Sequence, residues 1–416
     1  MPRIGAGFAL LGVVGATLML AAAANGDEQS FGKIERGRYL TQAADCAACH
    51  TQLGGGQPFA GGRRIETPFG DITSANITPD RETGIGSWTD QQFDDAVRRG
   101  IGPDGDRLYP AMPFTFYSKM SRDDVIAIRT YLDTIKPVHR RVETDTLPFP
   151  FNIRFGMRAW DTLFFDNEGP FKPDRSKSAE WNRGAYLVQG PGHCGACHTP
   201  KHFLGGDKTS EAYEGARLQG WFAPNITNEG TKGLRDWSVD DIAAYLSTGH
   251  NRISAATGPM AEVVEMSTSR LTASDAHAIA TYLKSLAGDG SASESKVATS
   301  DPGMKAGGAI YHDQCAACHA LDGKGVAGLF PSLAESGVLR SSDPRSAIRM
   351  VLRGARSVAT DKSPGAPGMP SFAKQLTDQQ IADVLTYVRN TWGHPAPAVP
   401  ESAVSDARSD LADRTD

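Results

Sequence analysis

The sequence predicts a mainly α-helical chain in which one small unit is used three times. Three observations carry this. All six cysteines fall in three copies of one pattern, Cys46-Ala-Ala-Cys49-His50, Cys194-Gly-Ala-Cys197-His198 and Cys315-Ala-Ala-Cys318-His319, the mark of covalent c-type haem attachment. The first two copies bring matching neighbours. Asn76-Ile77-Thr78 recurs as Asn225-Ile226-Thr227 and Trp88-Thr89 as Trp237-Ser238, both displaced by 149 residues, and a fixed displacement means a duplicated unit. Each copy is followed by helix-start signals and apolar residues at helical spacing, with no convincing alternating run to mark a strand.

Taken in order, residues 1–24 read as a signal peptide. Arg3 supplies the positive charge, Gly7 to Leu20 the apolar stretch, and Ala22-Ala23-Ala24 the small-residue cleavage site before Asn25. The alternative is an uncleaved anchor, since Ile4 to Ala24 is about long enough to span a bilayer. Either reading exports the main body. The first unit is placed at 31–138, an aromatic-rich linker at 139–175, the second unit at 176–288, a flexible linker at 289–302, the third unit at 303–394 and a polar tail at 395–416.

Each unit has the same parts. A leading helix carries Gly37-Arg-Tyr39-Leu40, Gly184-Ala-Tyr186-Leu187 and Gly307-Gly-Ala-Ile310-Tyr311. A middle helix opens at Thr89-x-x-Gln92, Ser238-x-x-Asp241 and Ser342-Asp343-Pro344. A closing helix opens at Ser121-x-x-Asp124, Thr272-x-x-Asp275 and Thr377-x-x-Gln380. Its apolar stripe is Val125, Ile128 and Leu132 in the first unit, Ile279, Tyr282, Leu283 and Leu286 in the second, and Ile381, Val384, Leu385 and Val388 in the third. Charged residues are 22% of the chain and the net charge is −5. That balance suits a soluble globular protein and excludes a general nucleic-acid binder.

The chemistry follows from spacing. Two cysteines three apart leave one helix face together and can form thioethers to both vinyl groups of one haem. The next residue, His50, His198 or His319, then lies under the iron. A zinc site would need four ligands where each cluster offers three, and a disulfide framework would not explain the histidine. Methionine is the expected sixth ligand, since His/Met ligation raises the potential of an electron carrier. Met112 and Met260 each lie 62 residues after their histidine and Met369 lies 50 after His319. All three sit in Pro/Gly-containing segments before the closing helix. The common 62-residue spacing selects Met112 over Met120 and Met260 over Met266. His193, His202 and His312 lie too near their motifs to reach the opposite haem face. His139, His250, His277 and His394 read as surface residues. Asn76 and Asn225, with Trp88 and Trp237, are candidates to contact the haem propionates, with capping or core packing as the alternative.

No Gly-x-Gly-x-x-Gly marks a nicotinamide or flavin domain, and no cysteine remains for a nucleophile or an iron–sulfur cluster. The chain reads as a wire, with no catalytic residue of its own.

At this point the sequence resembles a known family. Three CxxCH units, an exportable N-terminus and the segment Leu147-Pro-Phe-Pro-Phe-Asn-Ile-Arg-Phe between the first two units are similar to the tri-haem cytochrome c subunit of bacterial membrane-bound, quinone-linked dehydrogenases, which serve alcohol, gluconate, fructose and sorbitol oxidation. The resemblance implies three tandem class I cytochrome c-like domains, each wrapped around one covalent haem c. It implies a catalytic dehydrogenase partner of pyrroloquinoline quinone or flavin type, ubiquinone or a terminal oxidase as acceptor, and a place at the periplasmic face of the inner membrane by peripheral association. Two other readings stay open: a multihaem peroxidase or thiosulfate-type oxidase, which needs an open axial site, and a free periplasmic shuttle.

One segment demands its own account. Leu147 to Phe171 holds seven aromatics, and Ile153, Met157, Trp160 and Phe164 recur on one helix face. Such a stripe must be covered, by the first two haem units, by the dehydrogenase subunit or by a membrane surface.

Overall fold

The computed structural model describes residues 30–414 except 231, 289–295, 394 and 413. The signal at 1–24, His394 and the central part of the 289–302 linker lie outside the described residues.

The first region opens with α1 (30–43), which turns at Asp45, φ 52°, into α2 (Cys46–His50). A hairpin follows, β1 (Arg64–Thr67) against β2 (Gly70–Thr73). Then come α3 (Asp90–Arg99), α4 (Phe114–Tyr117) and α5 (Arg122–Leu132). Thr89 and Gln92 form the reciprocal capping box that the sequence announces, and Gly100 ends α3 in the left-handed region. A short helix, α6 (Met157–Phe164), occupies the connection to the second region.

The second region repeats the plan with α7 (Ala179–Gln189), α8 (Gly195–His198), hairpin β3 (Ala216–Leu218) and β4 (Trp221–Ala223), α9 (Val239–Thr248), α10 (Gly258–Met266) and α11 (Ala273–Ser285). The third has α12 (Pro302–Ile310), a π-turn at Tyr311–Cys315, α13 (Ala316–His319), α14 (Gly337–Arg340), α15 (Arg345–Arg353), β5 (Ala355–Arg356) paired with β6 (Gly368–Met369), α16 (Asp378–Asn390) and α17 (Glu401–Ala412).

Two expectations change here. The three antiparallel hairpins were not legible as strands, because two to four residues are too few to show alternation. The polar tail is largely a helix. Val404 and Leu411 of α17, two turns apart, are buried against α15 and α16, while Arg408 turns inward to pair with Asp378 and donate to the Ala373 and Leu376 carbonyls.

Leading and closing helices cross at a glycine in every region. A Cβ on Gly37 would fall inside the carbonyl oxygen of Ala127, one on Gly184 inside that of Ala278, and one on Gly307 inside that of Asp383. Only glycine lets the backbones approach this closely. The apolar stripes of the closing helices then bury. Val125, Ile128 and Leu132 join Leu40, Phe93 and Met120. Ile279, Tyr282 and Leu283 join Leu187 and Ile242. Ile381, Leu385 and Val388 join Tyr311 and Ile348. Each such side chain contributes about 1.5–3 kcal/mol by leaving water.

Candidate functional sites

Each CxxCH occupies one turn of helix at the foot of its leading helix, because α2, α8 and α13 begin within a few residues of where α1, α7 and the π-turn end. Cys46 packs onto the first apolar cluster together with Trp88 and Met112. Cys194 packs onto the second with Trp237 and Met260, and Cys315 onto the third. None of the six cysteines is paired in a disulfide. Burial pushes the Cys46, Cys49 and Cys194 thiols up to about 12 and Cys315 up to about 11. Those four are neutral thiols rather than thiolates poised for zinc or for nucleophilic attack. Among the described residues no group of three or more His, Cys, Asp or Glu converges as the ligands of a metal ion.

The three histidines share one arrangement that the sequence did not disclose. His50 Nδ1–H donates to the Ala75 carbonyl at 2.7 Å, His198 Nδ1–H to Pro224 at 2.7 Å, and His319 Nδ1–H to Pro331 at 3.0 Å. A carbonyl only accepts, so Nδ1 carries the proton and Nε2 keeps its lone pair. Burial lowers the pKa of all three rings, against the raising effect of these bonds, which keeps them neutral. A neutral Nε2 held in a fixed plane is the donor that haem iron requires, and two thiols on the adjacent turn complete the set. The side chains present fit a covalent haem.

The repeated Asn-Ile-Thr turns out to serve this arrangement. Asn76 Oδ1 accepts from the Thr78 backbone N–H and hydroxyl, and Asn225 Oδ1 from those of Thr227. Both turns present the preceding carbonyl, of Ala75 or Pro224, to the histidine. The Asn76 amide also donates to the Val138 and Arg140 carbonyls. Both asparagines close turns through their Oδ1, and the Asn76 amide is taken up by backbone carbonyls. Trp237 stacks edge-on to Tyr245 at 5.3 Å and Trp88 lies in the first cluster.

The methionines stand differently from one another. Met112 is half-buried in the first cluster, whereas Met120, its competitor, is wholly buried core. Met260 lies in the first turn of α10 rather than in a loop, after Gly258 at φ 56°, where a Cβ would strike the Trp221 ring. It packs on the second cluster. Met266 instead lines a cleft beside Ala48, Thr51 and Arg63 of the first region. Met369 sits on the two-residue strand β6, half-buried.

The motifs themselves are placed unequally. The first two face each other. Cys197 lies close enough to Cys49 to raise its pKa further. The Tyr117 ring meets His193 edge-on at 5.5 Å, α10 of the second region packs on α2, and Arg63 pairs with Glu262. Asp45, at the start of the first motif, is pushed up to about 8 by burial and then by Glu262, against the opposing pull of Arg63 and Arg270. The third motif faces solvent, with Cys318, Leu321, Val326 and Leu329 exposed. His250 is a correction: it is buried, and its Nε2–H donates to Val358, tying the second region to the third.

The aromatic stripe divides. Trp160 packs edge-on to Phe114 of the first region at 6.3 Å while its indole N–H donates to Leu204 of the second. Phe164 lies 5.6 Å from the His202 ring and over Gly206. This face is covered by the first two regions. Ile153 falls before the helix begins, and Phe149, Phe155, Leu163 and Phe203 stay exposed.

Comparison with known proteins agrees with this chemistry. The cytochrome c family profile matches residues 34–136 and 304–392. The chain is 39% identical to the gluconate 2-dehydrogenase cytochrome c subunit of Pantoea cypripedii, over 96% of this chain and 95% of that protein. It is 37% identical to the cytochrome c subunit of the quinone alcohol dehydrogenase of Gluconobacter oxydans, over 94% and 85%. It is also 37% identical to the fructose dehydrogenase cytochrome subunit of Gluconobacter japonicus, over 90% and 82%.

Proposed function

The chain belongs to the family of cytochrome c subunits of dehydrogenase complexes, and from that premise we propose that it carries three covalent haems in three tandem cytochrome c-like domains, bounded as the sequence places them. It is an electron-transfer subunit, taking electrons from a catalytic dehydrogenase subunit and passing them to ubiquinone or the respiratory chain. The dehydrogenase is of pyrroloquinoline quinone or flavin type. The complex stands at the periplasmic face of the inner membrane. Among the described residues no helix is long and apolar enough to cross a membrane.

When bound, haem iron supplies the one-electron chemistry. The residues of this chain do the holding. Cys46 and Cys49, Cys194 and Cys197, and Cys315 and Cys318 would hold the porphyrin through thioethers. His50, His198 and His319, through Nε2, together with Met112, Met260 and Met369, would be the residues that hold the iron. The observation that carries this is the threefold repetition of Nδ1–H to a backbone carbonyl, because it fixes the tautomer that leaves Nε2 for iron. The exposed third motif is where a redox partner can approach, while the inward-facing first pair passes charge within the chain.

Pyridine haemochrome titration of the purified chain should give three haems, low-spin when reduced. A count of two or a high-spin spectrum overturns the assignment. The chain alone should show no haem reduction by alcohols, aldehydes or sugars, and reduction should appear on adding a dehydrogenase subunit. The peroxidase or thiosulfate-type reading has its best chance at Met369, the methionine outside its apolar cluster. A rapid cyanide- or peroxide-induced shift confined to one haem would favour it.

A further inference from the structure

The glycine crossings align the three regions residue by residue. The position before the crossing glycine is Arg36, Arg183 or Ala306. Two after it stands Tyr39, Tyr186 or Ala309. Three before the facing carbonyl, at the third position of the closing helix, stands Asp124, Asp275 or Gln380. The first two regions have the same Arg, Tyr and Asp, and the third has none of them.

These residues are wired across the boundary. Arg36 pairs with Asp124 and Arg183 with Asp275, each within its own region. The tyrosines are exchanged. Tyr39 of the first region donates its hydroxyl to Asp275 of the second, and Tyr186 of the second donates to Asp124 of the first. Tyr39 also accepts the Thr272 backbone N–H at 3.3 Å. In α16 the matching group, the N-cap N–H of Thr377, is satisfied locally by Gln380. The side chain that closes the cap in the third region is therefore replaced in the second by a tyrosine from the first. Both carboxylates are almost wholly buried, so each tyrosine hydroxyl donates to a desolvated carboxylate that the arginine of its own region already pairs.

We propose that Tyr39–Asp275 and Tyr186–Asp124 form a reciprocal clasp whose residues are positioning residues for electron passage between the first and second haem sites. Tyr39 and Tyr186 lie on the helices that run into Cys46 and Cys194, so the clasp fixes the two motifs against each other at the roots of their leading helices. Charged carboxylates accept stronger hydrogen bonds than neutral groups, and each bond lost should raise the population of the parted arrangement by about ten- to a hundredfold. The third site, with Ala306, Ala309 and Gln380, lies outside this constraint. The inference rests on haem attachment at both motifs, which the haem count tests by itself.

The test uses the full haem-loaded chain carrying Tyr39→Phe with Tyr186→Phe, which removes two hydroxyls and no volume. Haem count and the reduced spectrum should stay as in wild type. Amide exchange at the contact of α1 with α11 and of α7 with α5 should rise, the spread of iron–iron distances between the first two sites should widen in pulsed EPR, and electron re-equilibration between them after flash reduction should slow several-fold. The potential of the third haem should not move. Wild-type exchange, distances and rates in a fully loaded double variant overturn the clasp, as does an equal change at all three sites. If the double variant fails to accumulate, the two single variants decide: the clasp requires either one to loosen both motifs, and an effect confined to the mutated region overturns it.

Discussion

The first two regions and the third are built from the same local parts and reach different ends. In the first pair the haem motifs turn toward each other, Ala43 of the first region sits in the core of the second, and two tyrosines are exchanged. The third region turns its motif outward and closes its own core with α17 and a buried arginine. Arg389, 1% exposed, donates to the Leu339, Ser341 and Pro397 carbonyls. The residues that decide between these ends are few. Beside Tyr and Asp, the position two after the glycine that bonds the motif histidine's carbonyl is Arg63, Arg217 or Ala327. Arg63 reaches into the second region at Glu262 and Arg217 into the third at Asp343. Ala327, in the exposed loop after the third motif, reaches nothing. The second and third regions are also joined, by Arg340 to Asp236 and Arg252 to Glu335, but through residues outside the third motif.

The comparison can be broken most severely at the helix crossings. Gly307→Val should destabilise the third region by about 4 kcal/mol or more, because a backbone carbonyl must move. Two haems should remain bound in calorimetry and haemochrome assays. Gly37→Val should cost as much but take the second region down with the first. Loss of one haem in both cases would show that the pair is not cooperative.

A smaller effect is expected in the connection. Trp160→Asp with Phe164→Asp should lower stability by about 3 kcal/mol, read from thermal unfolding, since both rings are packed between the first two regions. Phe155→Ser, at a ring that is 77% exposed, should change it by no more than about 0.5 kcal/mol. Release from membranes or from a dehydrogenase by Phe155→Ser alone would identify the exposed aromatics as the docking element.

The methionines sharpen the contrast at the sites. Met112→Ala should cost about 1–2 kcal/mol besides lowering its haem's potential, because Met112 also fills the first cluster. Met369→Ala should lower the third potential and admit carbon monoxide with almost no loss of stability. Parallel redox titrations and melts separate the two.

The smallest effect is in acid. Burial raises the Asp275 pKa, but hydrogen bonds from Arg183 and Tyr39 outweigh it and hold the carboxyl below the usual 3.8. A depressed folded pKa gives stability that is present above the unfolded value and lost as pH falls through the folded one. Amide protection where α1 meets α11 should therefore decline below about pH 4, before the core of the third region does. Simultaneous decline would remove Asp275 from the clasp.

Much of this was legible in the chain. The capping residues Thr89, Ser121, Ser238, Thr272 and Thr377 start the helices where the sequence places them, because a cap is a short-range hydrogen bond between residues three apart. The apolar stripes bury as the helical period requires. The hairpins escaped notice, since two to four residues carry no period. Asn76 and Asn225 were visible as a repeat but not as turn-closers, because only the folded loop brings Ala75 and Pro224 to the histidines.

The sequence by itself determined that there are three CxxCH motifs, which helices flank them and which faces those helices bury. All of that is set by residues within a few positions of one another, where geometry follows from covalent spacing. Only the tertiary structure decided that two motifs face each other and one faces solvent. That arrangement includes Tyr39 meeting Asp275 and Tyr186 meeting Asp124. Residues so far apart in the chain have no fixed spacing to read, and their pairing exists only once a glycine crossing has set the height of each helix.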